Sequence, residues 1–271
     1  MVTAPRLSII SCGSLHADRT SLLLKKGVTI RSRHDHEHFP SPWGAFATYC
    51  VLVETEAGSL IWDTGCPRDW EQRWGPSGLN DYYPYDDVTE EQYLDSQLRR
   101  MGVEPGSVDI VALSHLHFDH IGNTRMFQDA GSRVVCSRDE IEFANSFIGP
   151  FLGGHVKAEY EGLDLEPLVG DVEILPGVTL LQMPGHTPGS MSLQVDLPDS
   201  GTMVFTSDAV YLGESFGPPA VPPAIVSDLR GWYASVEKLR AIQRQRDALI
   251  VFGHDAEQIA SLRLAPDHYY T

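Results

Sequence analysis

SHLHFDHIGN, residues 114–123, sets His115, His117, Asp119 and His120 within six positions among small and apolar residues. It closes VDIVALS (108–114), an apolar, β-branched run that reads as a buried strand. An isolated histidine is usually a hydrogen-bonded core or surface imidazole. The stretch therefore gains meaning only if the rest of the chain supplies matching groups. Three more apolar runs do so: VTLLQMPG (178–185) leads into His186, TMVFTS (202–207) into Asp208 and ALIVFG (248–253) into His254. Each places a metal-ligand type of side chain just past the C-terminal end of a predicted strand. Layered sheets bring such ends to one rim, so residues from 115 to 254 can converge on one site. Seven imidazole and carboxylate groups exceed what one four-coordinate ion needs, and two ions are the economical solution. His115 and His117, at alternate positions, can point the same way, while Asp119 and His120 follow a turn and can face a second ion. With no thiolate among them, the donors suit Zn first, then Fe, Co or Mn.

The remaining predicted strands are LSIIS (7–11), ATYCVLVET (47–55), SLIWDTG (59–65), SRVVCS (132–137) and SMSLQVDL (190–197), enough for two sheets. One helix is predicted from Thr89 to Met101, opening on a Thr89/Gln92 capping box, with Tyr93, Leu94, Leu98 and Met101 as its apolar stripe. Another runs from about Asp228 to Arg246, with Trp232, Val236, Leu239 and Ile242 at helical spacing. Residues 139–171 mix apolar, Gly and acidic residues without a period and read as a covering insertion. GPPAVPPAIV (217–226) is a stiff apolar loop. No repeat or linker is visible, so 1–271 is expected to form a single domain.

The 271 residues are 42% hydrophobic, sufficient for a substantial core, and carry a formal net charge of −17. A field of that sign repels phosphate backbones and anionic bilayers, which argues against nucleic acid and membrane partners. The chain shows no spanning segment and no export-type opening, so a cytoplasmic location is expected. Cys12, Cys50, Cys66 and Cys136 lack paired spacing and read as reduced structural thiols. RSRHDHEHF (31–39) resembles a metal tract but has no apolar strand behind it and reads as a solvated loop. His16, His155 and His268 have no partners visible in the sequence.

HLHFDH (115–120), GH (185–186), SDA (207–209) and GHD (253–255), with IWDTG (61–65), resemble the dinuclear metallo-β-lactamase superfamily. That resemblance implies an α/β fold, an αββα sandwich of two mixed sheets flanked by helices, with metals at one edge. It implies His115, His117 and His186 on one ion, Asp119, His120 and His254 on the other, Asp208 bridging, and Asp63 as a supporting carboxylate. SHLHFDH, GHTPGSMSL, SDAVY and GHDAEQ are similar, more narrowly, to the quorum-quenching N-acyl homoserine lactonases. The implied activity is opening of the lactone ring by a hydroxide shared between the ions. In it Tyr211, three residues past Asp208, donates to a substrate oxygen and Asp119 helps return a proton to the ring alkoxide. A homodimer is a further expectation drawn from the resemblance.

Between Thr206 and Asp228 there is no Lys or Arg, whereas Phe216, Val221 and Ile225 are present. A glutathione thioester, phosphodiester or β-lactam carboxylate would call for a cationic clamp there. A neutral lactone with an apolar acyl chain would not. Phe46, Tyr82, Tyr83, Phe118, Tyr211 and Ile225 are the candidate substrate-binding residues. The same metal donors would serve a glyoxalase-II-like thioesterase or another ester hydrolase.

Overall fold

The computed structural model describes residues 5–22, 33–36 and 43–271. Its first sheet combines β1 (Arg6–Asp18), β2 (Trp43–Thr55), β3 (Gly58–Trp62), β4 (Ile110–Ala112) and β5 (Arg133–Ser137). A small hairpin, β6 (Phe151–Leu152) and β7 (His155–Val156), precedes β8 (Leu165–Leu168), which completes the first sheet. The second sheet comprises β9 (Val172–Leu175), β10 (Val178–Gln182), β11 (Met191–Leu197), β12 (Gly201–Phe205) and β13 (Leu249–Val251). Spatial orders are β1-β2-β3-β4-β5-β8 and β13-β12-β11-β10-β9. Pairing is antiparallel from β1 to β3 and from β9 to β12, and parallel for β3-β4-β5-β8 and β12-β13. Both sheets are therefore mixed.

Alternation along the strands explains the layering. Leu7, Ile9, Val51, Val53 and Trp62 face Leu180, Leu193, Val195, Met203 and Phe205 in the core between the sheets. Their neighbours Ile10, Cys50, Leu52, Ile61, Val111 and Val134 point outward, yet are covered by Leu94, Leu98 and Phe127. On the second sheet Leu181, Val204 and Ile250 meet Trp232, Val236 and Leu239 of the helix Leu229–Arg246. Strands buried on both faces have to be apolar throughout, which is why their runs are continuous rather than alternating. Each fully buried aliphatic or aromatic side chain here contributes about 1.5–3 kcal/mol by leaving water.

The helix Leu229–Arg246 forms as the sequence predicts, with the Asp228 side chain accepting from Arg230 N. The predicted Thr89–Met101 helix does not run unbroken. Glu90–Gln92 is a 3-10 turn closed by the Thr89/Gln92 capping box, Tyr93 is extended at ψ 141°, and the α-helix is Leu94–Met101. Tertiary contacts override the helical period: the Arg68 guanidinium sits 4.2 Å over the Tyr93 ring and binds Glu90 and Asp95 on either side of it. Residues 139–171 also do more than cover the fold, because Leu165–Leu168 pairs with β5 in the first sheet. All four cysteines are free and buried. Among the described residues, no helix is long and apolar enough to cross a membrane.

Candidate metal centre

The loops after β4, β10, β12 and β13 meet at one edge of the sandwich. Two groups of donors result, His115, His117, His186 and Asp208 in one and Asp119, His120 and His254 in the other, all buried. The four-strand expectation holds in space as well as along the chain.

Local backbone geometry explains how the chain delivers them. Asp63, at the end of β3, and Ser207, just before Asp208, both adopt positive φ, 55° and 46°. For residues other than glycine this conformation costs about 1 kcal/mol or more and persists where the surroundings enforce it. A Cβ on Gly253 would lie 2.3 Å from Ser207 O, so the loop carrying His254 packs against the loop carrying Asp208 only because residue 253 is glycine.

In the first group His186 Nε2 is 3.2 Å from His115 Nε2 and 2.9 Å from His117 Nδ1. Asp208 divides its carboxylate between the groups. Its Oδ2 lies 3.2 Å from His186 Nε2 and 3.5 Å from His115 Nε2, and its Oδ1 lies 3.2 Å from His120 Nε2 and 3.0 Å from His254 Nε2. Asp119 Oδ2 stands 3.6 Å and 3.8 Å from the same two nitrogens. Nitrogen and oxygen ligands about 2.0–2.2 Å from a tetrahedral ion stand roughly 3.3–3.6 Å apart, close to these spacings.

Hydrogen bonds behind the rings settle which nitrogen is free. His115 Nδ1 meets Ser114 Oγ at 2.9 Å, His120 Nδ1 meets Asp63 Oδ2 at 2.9 Å, His186 Nδ1 meets Ile225 O at 3.1 Å and His254 Nδ1 meets Ala47 O at 2.9 Å. Carbonyl and carboxylate partners require N–H at Nδ1, which leaves the Nε2 lone pair for the centre. Asp63 is fixed in turn by Ser114, whose N and Oγ donate to it at 2.7 and 2.8 Å. His120 Nε2 and Asp208 Oδ1 are buried without hydrogen-bond partners. Buried polar atoms without hydrogen-bond partners that face one another suit a cation between them, and the donor set fits two divalent ions.

Charge follows the same division. Burial pushes the imidazoles of His115, His117 and His186 below their ordinary range, which keeps them neutral, each with a ring-nitrogen lone pair to offer. Burial also opposes charge on His120 and His254, but the carboxylates of Asp208 and Asp119 outweigh it and hold both imidazoles up. Burial raises the Asp119 carboxyl, whereas for Asp208 the surrounding histidines overcome burial and hold it well below the carboxylate range.

A family model for the metallo-beta-lactamase superfamily matches residues 43–254. The chain belongs to the metallo-beta-lactamase superfamily. Within it, this chain is 32% identical over 228 residues to the N-acyl homoserine lactonase AiiA of Bacillus thuringiensis subsp. kurstaki, covering 81% of this chain and 86% of that protein. A solved N-acyl homoserine lactone hydrolase, with the product N-hexanoyl-L-homoserine bound at its catalytic metal center, superposes at a TM-score of 0.81 with 29% identity, over 99% of this chain and 100% of that one. A variant of B. thuringiensis AiiA with N-decanoyl-L-homoserine at its active site matches equally, at TM-score 0.81, 29% identity and the same coverage. In this chain the two mixed sheets carry both donor groups at one edge of the sandwich.

Over this metallo-beta-lactamase centre lies a cavity of about 240 Å³. Phe46, Tyr83, Phe118, Tyr211 and Ile225 line it, as predicted, together with Leu15, Leu22 and Leu79, which sequence reasoning missed. Tyr82 does not. The short helix Leu79–Tyr82 turns it outward, 41% exposed, and gives the inward position to Tyr83. The stiff 217–226 loop contributes Ile225 twice, by its side chain to the cavity and by its carbonyl to His186. Tyr211 places its hydroxyl 3.1 Å from His186 Nδ1, and burial beside Asp208 pushes that phenol well above its ordinary pKa. It is therefore a hydrogen-bond donor at neutral pH. Of the 31–39 tract, residues 31–32 and 37–39 lie outside the described residues, and His34 pairs with Asp81 at 3.2 Å.

Proposed function

We propose that the protein is a dinuclear metal-dependent lactonase that opens the ring of N-acyl homoserine lactones, and so acts in quorum quenching. The observation that carries the reading is the split carboxylate of Asp208, with one oxygen facing each donor group, directly under a cavity that holds the Tyr211 hydroxyl. The likeness to lactonases of this activity, over four fifths of the chain, supports the same conclusion.

His115, His117 and His186 would hold one ion, Asp119, His120 and His254 the other, with Asp208 between them. Zinc suits this set of imidazoles and carboxylates. Two such ions lower the pKa of water enough to supply hydroxide at neutral pH and polarise a carbonyl. The remaining work belongs to side chains. Phe46, Phe118, Leu15, Leu22 and Ile225 exclude water and hold the acyl chain, which orients the ring toward the floor of the cavity. Tyr211 donates its hydroxyl hydrogen to the ring carbonyl oxygen as negative charge develops there. Asp119, which stands beside His120 and His254 and lines the cavity, would take up the proton that the attacking hydroxide gives up and return it to the leaving ring alkoxide. Among the described residues, no Lys or Arg lines the cavity, which favours a neutral lactone over a glutathione thioester or a β-lactam carboxylate.

A pH-stat assay tests this directly, with short- and long-chain homoserine lactones beside a thioester and a cephalosporin, and elemental analysis of the same sample. Acid release is expected from the lactones alone, with two ions per chain. Faster turnover of the thioester would move the protein to the glyoxalase-II-like reading.

A further inference from the structure

Four of the five histidines of the centre have their outward nitrogen tied by a hydrogen bond, to Ser114, Asp63, Ile225 O or Ala47 O. His117 differs. It offers Nδ1 to the first group, 2.9 Å from His186 Nε2, and among the described residues no hydrogen bond holds its other nitrogen. Its ring has to be oriented by packing instead.

That packing comes from one segment outside the ligand loops. The backbone of Gly154 lies against the His117 ring so closely that a Cβ there would be 2.7 Å from its Cγ. Gly154 O also accepts from Phe118 N at 3.0 Å. The ring of His155, 2% exposed, meets the His117 ring edge-on with centroids 4.4 Å apart and planes at 79°. His155 is fixed by the fully buried Glu140, whose Oε1 lies 2.8 Å from His155 Nε2 and accepts from Leu116 N at 3.0 Å. Three consecutive residues of the ligand loop, Leu116, His117 and Phe118, are thus gripped by Glu140, Gly154 and His155. The helix Arg138–Asn145 that carries Glu140 also abuts the His186 loop, since a Cβ on Gly189 would fall 2.1 Å from Glu140 N.

We propose that Glu140 and His155 are positioning residues for His117, and that through it they set the affinity of the first metal site. A buried carboxylate and imidazole are costly to place in a core, and they are retained here beside the one ring that lacks an anchoring hydrogen bond. The inference rests on the two-ion reading of the centre. It concerns ion retention rather than turnover.

The test uses the metal-loaded full chain and three variants, His155→Ala, Glu140→Ala and Glu140→Gln. Ions per chain are measured after equilibration with graded chelator, alongside the visible spectrum of the Co(II)-substituted protein and the melting temperature. His155→Ala and Glu140→Ala are expected to release one of the two ions at about 10-fold lower chelator concentration, within the usual range for removal of an outer partner. The second ion should be held as in the parent. Glu140→Gln should retain the parent curve, because its Oε1 can still accept from both Leu116 N and His155. Parent-like chelator curves and Co(II) spectra in both alanine variants would overturn the proposal, as would equal loss of both ions tracking a fallen melting temperature. A parent enzyme that opens no lactone, with the one-ion shift intact, would sink the lactonase reading and leave this one standing.

Discussion

Asp63 Oδ2 stands 2.9 Å from His120 Nδ1, although the two residues are 57 positions apart. The contact fixes the tautomer of His120 and aims its buried Nε2 at Asp208. Asp63→Asn keeps the size of the side chain but replaces a charged acceptor with a neutral, rotatable amide. It should weaken retention of the second ion by about 10- to 100-fold, the usual range for an outer-sphere carboxylate behind a histidine. Elemental analysis after dialysis checks this, and an unchanged ion content would remove Asp63 from the centre.

Tyr211 and Asp208 should separate chemistry from metal binding. Tyr211→Phe removes a donor that touches no ion-facing nitrogen, so both ions stay while kcat falls on the order of 10²-fold. Asp208→Asn removes charge from both groups at once and should lose metal together with activity. If Tyr211→Phe turns over at the parent rate, the phenol has no part in stabilising the carbonyl oxygen.

Acid should empty the two groups in sequence. His120 and His254 are held above their ordinary pKa by Asp208 and Asp119, so protons compete for them at higher pH than for His115, His117 and His186, which burial pushes down. As pH falls, the second ion is expected to leave first. Ion content measured across a pH series would show one step before the other, whereas simultaneous release would contradict this ordering.

Ile225 offers a test of the acyl wall. Its carbonyl, which meets His186, survives substitution, so Ile225→Ala changes only the cavity side chain. Losing the methyl and methylene groups that this half-buried side chain presents to the cavity should raise KM for long-chain homoserine lactones by about 3- to 10-fold, with little change for short ones. Equal effects on both chain lengths would place the tail elsewhere.

The donors were legible because each follows an apolar strand, and strand ends share a rim whatever the loops do between them. Tyr82 was misjudged for a different reason. Adjacent residues at the end of a four-residue helix point in different directions, and nothing in YY tells which one faces the cavity. The break at Tyr93 depends on Arg68, distant in sequence, and so escapes a purely local period. Glu140 and His155 left no signal at all. They follow no common spacing with HLHFDH, and their importance exists only once β6 and β7 fold back over the ligand loop.

Because the donors run from His115 to His254 and Asp63 supports one of them from behind, no shorter stretch of the polypeptide can assemble the whole centre. During synthesis the nascent chain therefore has to emerge past His254 before both donor groups can be complete. Occupation of both sites thus doubles as a certificate that the chain has been made and folded at least as far as His254.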